Sequence, residues 1–304
     1  MNRETERRIR ENLFEAAWPA LEPWDEFPWH EDRFGNIQAH KPNSSQALAI
    51  DVFGTIKTSP CRDRIMGRIA ERLGVSPAGP WEISLEWCSP QNELREKRRT
   101  QVDAIAESPG SLVFFECKFT EAGGSCSQTE PLKSGMHRGL VQCDGSYRLQ
   151  TNPANGVSSR CALTGKGIDY WDVIPQIFPF PAERDSLPCP FALSCFQWMR
   201  NLALCFARGR TLLKRPAVVA AYADHPKLAM ARTIEGAEWR RFAGSVRREA
   251  VAFSSISYQQ MVRMAEAAVA DRQDEAAKWR KLRSWVERKI STAGELADAV
   301  QTRD

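Results

Sequence analysis

The stretch TQVDAIAESPGSLVFFECKF, residues 100–119, decides the fold. It reads as two strands joined by a Ser-Pro-Gly turn at 108–110. The second strand opens with the apolar run Ser111-Leu112-Val113-Phe114-Phe115, expected in a buried position, and ends on Glu116 and Lys118 with Cys117 between them. On a strand, residues i and i+2 share a face, so Glu116 and Lys118 point one way and Cys117 the other. Charges at the end of a buried strand are costly unless something compensates them. The turn carries Asp103 back to lie opposite the Glu116 region, within side-chain reach across the pair.

Upstream, Trp81, Ile83, Leu85 and Trp87 alternate with Glu82, Ser84, Glu86 and Cys88, the period of a third strand. Residues 81–119 are thus expected to form a three-stranded meander, with Glu86 on its polar face. Carboxylates converging beside one lysine repel each other unless a hard cation sits among them, and oxygen ligands with open water positions suit Mg²⁺. Glu287-Arg288-Lys289 repeats the Glu-x-Lys spacing on an apparent helix, where i and i+2 do not face each other.

Around the meander the pattern is helical. Residues 4–17 read as a helix stopped by Trp18-Pro19. NSSQALAIDVFGTI carries Leu48, Val52 and Phe53 behind a cap at Asn43 or Ser44, and CRDRIMGRIAERLGV closes on Gly74. Residues 120–188 lose regular pattern, which is long for a loop and calls for a stabilising device. CPFALSCFQWMRNLALCFARGR from 189 reads as an apolar helix, PAVVAAYAD from 216 as a strand, and the tail from about 228 as mainly helix with a strand at AVAFSSISY. The order is that of an α/β protein with a mixed sheet. The boundaries expected are an N-terminal helix and loop at 1–40, a core at 41–225 containing a Cys-rich insertion at 120–188, and a mainly helical extension at 226–304.

The 304 residues, 42% of them hydrophobic, suffice for a sizeable core. No run approaches the roughly 18–20 apolar residues of a membrane helix, and MNRETERRIRENLFEAAWP has no apolar signal core. A cytoplasmic protein with no membrane partner is expected. The net charge of +4 is modest, and the clusters RETERRIR, REKRR (95–99), RRFAGSVRR (240–248) and KWRKLR (278–283) are compatible with a nucleic-acid partner.

The joint pattern of Asp103, a turn, an apolar strand and Glu116-Cys117-Lys118 resembles the PD-(D/E)XK nuclease superfamily, with Val102 in place of the proline of that name. NSSQALAIDVFGTI, TQVDAIAE, FFECKFTE, GIDYWDVIP and CPFALSCFQWMRNLAL resemble a restriction-endonuclease-like branch of bacterial proteins over roughly residues 40–225. The resemblance implies an αβββαβ core. It also implies Mg²⁺ or Mn²⁺ held by Asp103, Glu116 and the Cys117 carbonyl, with Glu86 as a further acid and Asp51 as a weaker one. Lys118 would handle the attacking water and the charge developing on the phosphate. Gln197 and Gln46 become candidate substrate contacts. Gln142 and Tyr147 echo a Gln-Tyr motif of an exonuclease branch, one residue too widely spaced. The implied activity is a metal-dependent endonuclease acting on DNA in restriction or phage defence, as a homodimer or with a partner protein. A non-catalytic nucleic-acid-binding scaffold and an RNA nuclease are the rival readings.

Of nine cysteines, Cys126, Cys143, Cys161 and Cys189 are spread through the irregular region. Four thiolates there could hold Zn²⁺ or an iron–sulfur cluster, or the set could be ordinary buried thiols. No Cys-x-x-Cys pair decides between them. Among the histidines, none with metal spacing to another, His40 and His137 are the ones singled out for testing.

Overall fold

The computed structural model describes residues 2–143, 145 and 160–301. The helices α1 (Arg3–Glu11), α2 (Ser45–Ala49), α3 (Thr55–Thr58) and α4 (Arg62–Leu73) precede the strands β1 (Glu82–Cys88), β2 (Gln101–Glu107) and β3 (Ser111–Lys118). Short helices α5 (Ala162–Gly165) and α6 (Tyr170–Ile177) lie in the insertion, followed by α7 (Phe196–Leu212) and β4 (Arg215–Tyr222). The chain closes with α8 (Ala229–Glu235), α9 (Ala237–Ser245), β5 (Ala252–Ser257), α10 (Tyr258–Ala268) and α11 (Gln273–Gln301). Among the described residues no helix is long and apolar enough to cross a membrane.

The five strands form one mixed sheet in the order β1-β2-β3-β4-β5. The first three pair antiparallel, while β4 and β5 run parallel to β3. A parallel pair needs a crossover, which α7 supplies between β3 and β4. Every residue of the central strand β3 is buried, which accounts for its continuous apolar run. Val113 and Phe115 face one core with Phe53, Ile65, Val219 and Met261. Leu112 and Phe114 face another with Trp198, Leu202, Val218 and Phe242. The Phe53 and Phe115 rings lie 4.6 Å apart, and truncating such a ring typically removes about 3–5 kcal/mol.

The tail is part of this architecture. β5 is the fifth strand of the sheet, and Trp279, Leu282 and Val286 of α11 lie in the same core as Phe115. Asp51, at the junction of α2 and α3, is fully buried and bonded to Lys289 Nζ at 2.7 Å, Trp285 Nε1 at 2.9 Å and the Phe14 amide at 2.6 Å. Burial raises its pKa, with Lys289 opposing the rise.

Three local expectations are corrected. The first helix ends at Glu11, and a separate 3₁₀ turn spans Glu15–Leu21 with Pro19 inside it. The apolar helix begins at Phe196 rather than 189: residues 190–195 run as turns, and the Cys189 amide donates to the Gly145 carbonyl while the Ala192 carbonyl accepts from the Cys126 amide. Trp87 leaves the face of Ile83 and joins Phe114 in the opposite layer, 5.5 Å between ring centroids. The cause is the residue before it: Glu86 has φ of 51° and breaks the alternation.

Candidate active site

The β2–β3 ladder pairs Ala104 with Phe115 and then stops. Beyond that point the Cys117 amide donates to Asp103 Oδ2 at 2.6 Å, so a side chain occupies the place of a backbone partner. The N–H and C=O of a strand residue point to the same side. The Cys117 carbonyl therefore faces the same gap.

Glu86 is brought to this gap by its left-handed backbone, a conformation that costs a non-glycine residue energy and clusters at functional sites. Its carboxylate is buried and accepts from Gln46 Nε2 at 2.8 Å and Gln101 Nε2 at 2.6 Å, with His30 Nε2 at 3.0 Å. Ligand atoms of His30, Glu86 and Asp103 all lie within 4.8 Å of one another. Glu116 is held separately. Lys118 Nζ donates to its Oε1 at 2.7 Å, Gln197 donates to the same oxygen, and Asn201 donates to Oε2. Gln197 and Asn201 are four residues apart on α7 and so share one face.

Burial, then the charges of Glu116 and Glu86, hold the Asp103 carboxyl well above the usual carboxylate range, and Lys118 offsets this only in part. For Lys118 burial opposes the charged form, but Glu116 and Asp103 outweigh it and its pKa rises. The bond to Glu86 likewise raises His30 against its burial. Once Asp103 is ionised, as a bound cation would require, its carboxylate and those of Glu86 and Glu116 outnumber the Lys118 ammonium by two charges. An oxygen-rich, doubly negative set fits a hard divalent cation.

The structure thus brings together Asp103, Glu116, Lys118 and Glu86. The amides of Gln46 and Gln197 are engaged by carboxylates, Gln46 also bonding the Pro28 carbonyl and the His30 amide. Asp51 is away from the site, in the ion pair with Lys289. The histidine at the site is His30; His40 Nδ1 instead lies 2.7 Å from the Ile37 carbonyl, and His137 lies in the insertion. Asn201 and Gln101 carried readable signals, four positions after Gln197 on a helix and two before Asp103 on a strand. His30 carried none, because it sits in an irregular loop whose path only packing determines. Tyr147 lies outside the described residues.

Away from this gap, Cys126, Cys143, Cys161 and Cys189 line a single cavity with Tyr170 and Phe196. Burial pushes the Cys126 thiol up to about 12. Cys195 instead faces Ser194 and Glu238.

A family model described as restriction endonuclease associating with ARP matches residues 5–282. No curated protein and no solved structure matches the chain.

Proposed function

The chain belongs to the family of restriction endonucleases associating with ARP, and on that premise we propose that it is a Mg²⁺-dependent PD-(D/E)XK endonuclease hydrolysing phosphodiester bonds in DNA. The observation that carries this reading is the opening of the β2–β3 ladder at Asp103, where Glu116, Glu86 and Lys118 converge. Asp103, Glu116 and the Cys117 carbonyl would hold Mg²⁺ or Mn²⁺, with Glu86 as a further acidic ligand. When bound, such an ion polarises the phosphoryl oxygen and lowers the pKa of a coordinated water.

The chain's own residues do the rest. Lys118, kept charged by Glu116 and Asp103, orients the attacking water and stabilises the charge that develops on the phosphate. Gln197 and Asn201 fix the Glu116 carboxylate. Gln46, Gln101 and His30 fix that of Glu86. The Arg and Lys clusters would track the DNA backbone, with the chemistry in the core at 41–225. The family description names an associate, so a partner protein is the expected setting, in restriction or phage defence.

The test is cleavage of supercoiled plasmid, linear DNA and RNA with Mg²⁺, Mn²⁺ or EDTA. Wild type should cut DNA only with metal, and Glu116→Gln and Lys118→Met should each lose about 10²–10³-fold. Cleavage in EDTA, or unchanged in both variants, removes the proposal. RNA cut in preference to DNA would redirect it to the rival substrate.

A further inference from the structure

The insertion between β3 and α7 has too little core of its own. Its separate cluster of buried residues is Cys143 and Ala162, with Cys161, Trp171 and Cys189 packed against them. Yet four distant points of the chain meet there. Cys126 precedes a 3₁₀ turn, Cys143 follows the bridge between Pro131 and Val141, Cys161 precedes α5, and Cys189 sits between two prolines. All four line one cavity, whose other walls include Ala162, Leu163, Trp171 and Phe196 but no carboxylate and no imidazole. Tyr170 also lines it, but its hydroxyl is taken by Glu96. The remaining cysteines lie elsewhere: Cys61 and Cys117 in one core, Cys205 in the other, Cys195 at Glu238, and Cys88 exposed.

A second observation concerns the sulfurs themselves. The backbone N–H of Gln128 is directed at the Cys126 sulfur, and those of Leu163 and Thr164 at the Cys161 sulfur. Burial outweighs these donors and raises both thiols, so the thiolates would form as a bound metal displaces their protons. A cavity offering four such ligands and no carboxylate or imidazole, with the oxygens of Tyr170, Gln128 and Thr129 engaged by Glu96, Lys166 and the Cys126 carbonyl, selects a soft metal.

We propose that Cys126, Cys143, Cys161 and Cys189 hold a four-thiolate metal centre that serves as the missing core of the insertion. Spacing indicates its type. Among the described residues no three of these sulfurs lie within 4.8 Å of one another, whereas four sulfurs around one zinc ion would be about 3.8 Å apart. They are thus not gathered as four ligands of one zinc ion, and we take the centre to be a bridged iron–sulfur cluster, whose ligand sulfurs lie farther apart.

The centre also braces the candidate active site, an extension that rests on the nuclease reading above. The Cys126 amide donates to the Ala192 carbonyl at 3.3 Å, and the Gln197 amide donates to the Gly124 carbonyl at 3.2 Å. Gln197 Oε1 accepts the Gly124 amide at 2.9 Å while its Nε2 donates to Glu116. Gly123 approaches Trp198 so closely that a Cβ would lie 2.5 Å from the indole nitrogen. Gln197 is therefore a positioning residue joining the cysteine lobe to the metal-binding carboxylate.

Full-length protein purified anaerobically should contain stoichiometric iron with acid-labile sulfide and absorb near about 400 nm. Cys126→Ser and Cys189→Ser should lose most of that metal, and Cys88→Ser should keep it. If the variants are insoluble, stripping wild type with a chelator should bleach the absorption and open residues 120–188 to protease. The Mg²⁺ concentration for half-maximal DNA cleavage should then rise about tenfold. Stoichiometric zinc lost in the same variants would uphold the four-thiolate centre and overturn the cluster. Iron and zinc both at trace level, or metal unchanged in the variants, would overturn the proposal. Because metal content is read without cleavage, a loaded but inactive protein would refute the nuclease reading alone.

Discussion

Replacing Asp103 with Asn should abolish cleavage and at the same time make the metal-free protein more stable. The carboxylates of Asp103 and Glu86 offer oxygens within 4.8 Å of each other, and two unit charges at that distance repel by roughly 3–4 kcal/mol at an effective dielectric near 20. Glu116 adds to this repulsion, and Lys118 cancels part of it. Asparagine keeps an oxygen to accept the Cys117 amide and removes the charge. A net gain of about 1–3 kcal/mol follows, or about 2–5 °C in Tm for a chain of this length. Because the folded-state pKa of Asp103 is raised, its contribution is most favourable below the usual Asp value of about 3.9 and declines as pH rises through the folded value. The gain from Asn should therefore be small in acid and full above the folded pKa. Differential scanning calorimetry in EDTA at several pH values measures it, with Mg²⁺ titrations alongside. Mg²⁺ should stabilise wild type by mass action and leave the variant almost unmoved. A variant less stable than wild type in EDTA at neutral pH, or one that still gains from Mg²⁺, would refute the reasoning.

Other substitutions probe the supports of the site. Lys289→Met strands the buried Asp51 carboxylate and should cost about 3–5 kcal/mol in urea unfolding, while Asp51→Asn combined with Lys289→Met should recover much of the loss. Asn201→Ala removes a donor from buried Glu116; a loss of about 1–3 kcal/mol by unfolding and a higher Mg²⁺ concentration for half-maximal cleavage by titration are expected. The raised pKa of His30 means that its bond to Glu86 stabilises fully below about 6.5 and is lost as pH rises through the folded value. His30→Gln should flatten that part of the pH–stability profile, by less than about 1 kcal/mol because the ring is partly exposed.

Local sequence determined what local rules govern. Alternation and turn chemistry placed β1, β2 and β3, and the two-residue period put Glu116 and Lys118 on one face. The position of Asp103 followed from the turn at 108–110, and the helical setting of Glu287 and Lys289 disqualified their identical spacing. Asn201 and Gln101 were within reach of the same periodicities. Tertiary structure decided the contacts made across long separations. The φ of 51° at Glu86 reversed the side of Trp87, which no alternation reveals, because strain at one residue persists only where surrounding packing holds it. His30 reached Glu86 across 56 positions, and Asp51 was claimed by Lys289 across 238. The gathering of Cys126, Cys143, Cys161 and Cys189 around one cavity was likewise invisible in their spacing. Sequence specifies which groups each element presents on which face; only the packed fold determines which faces meet.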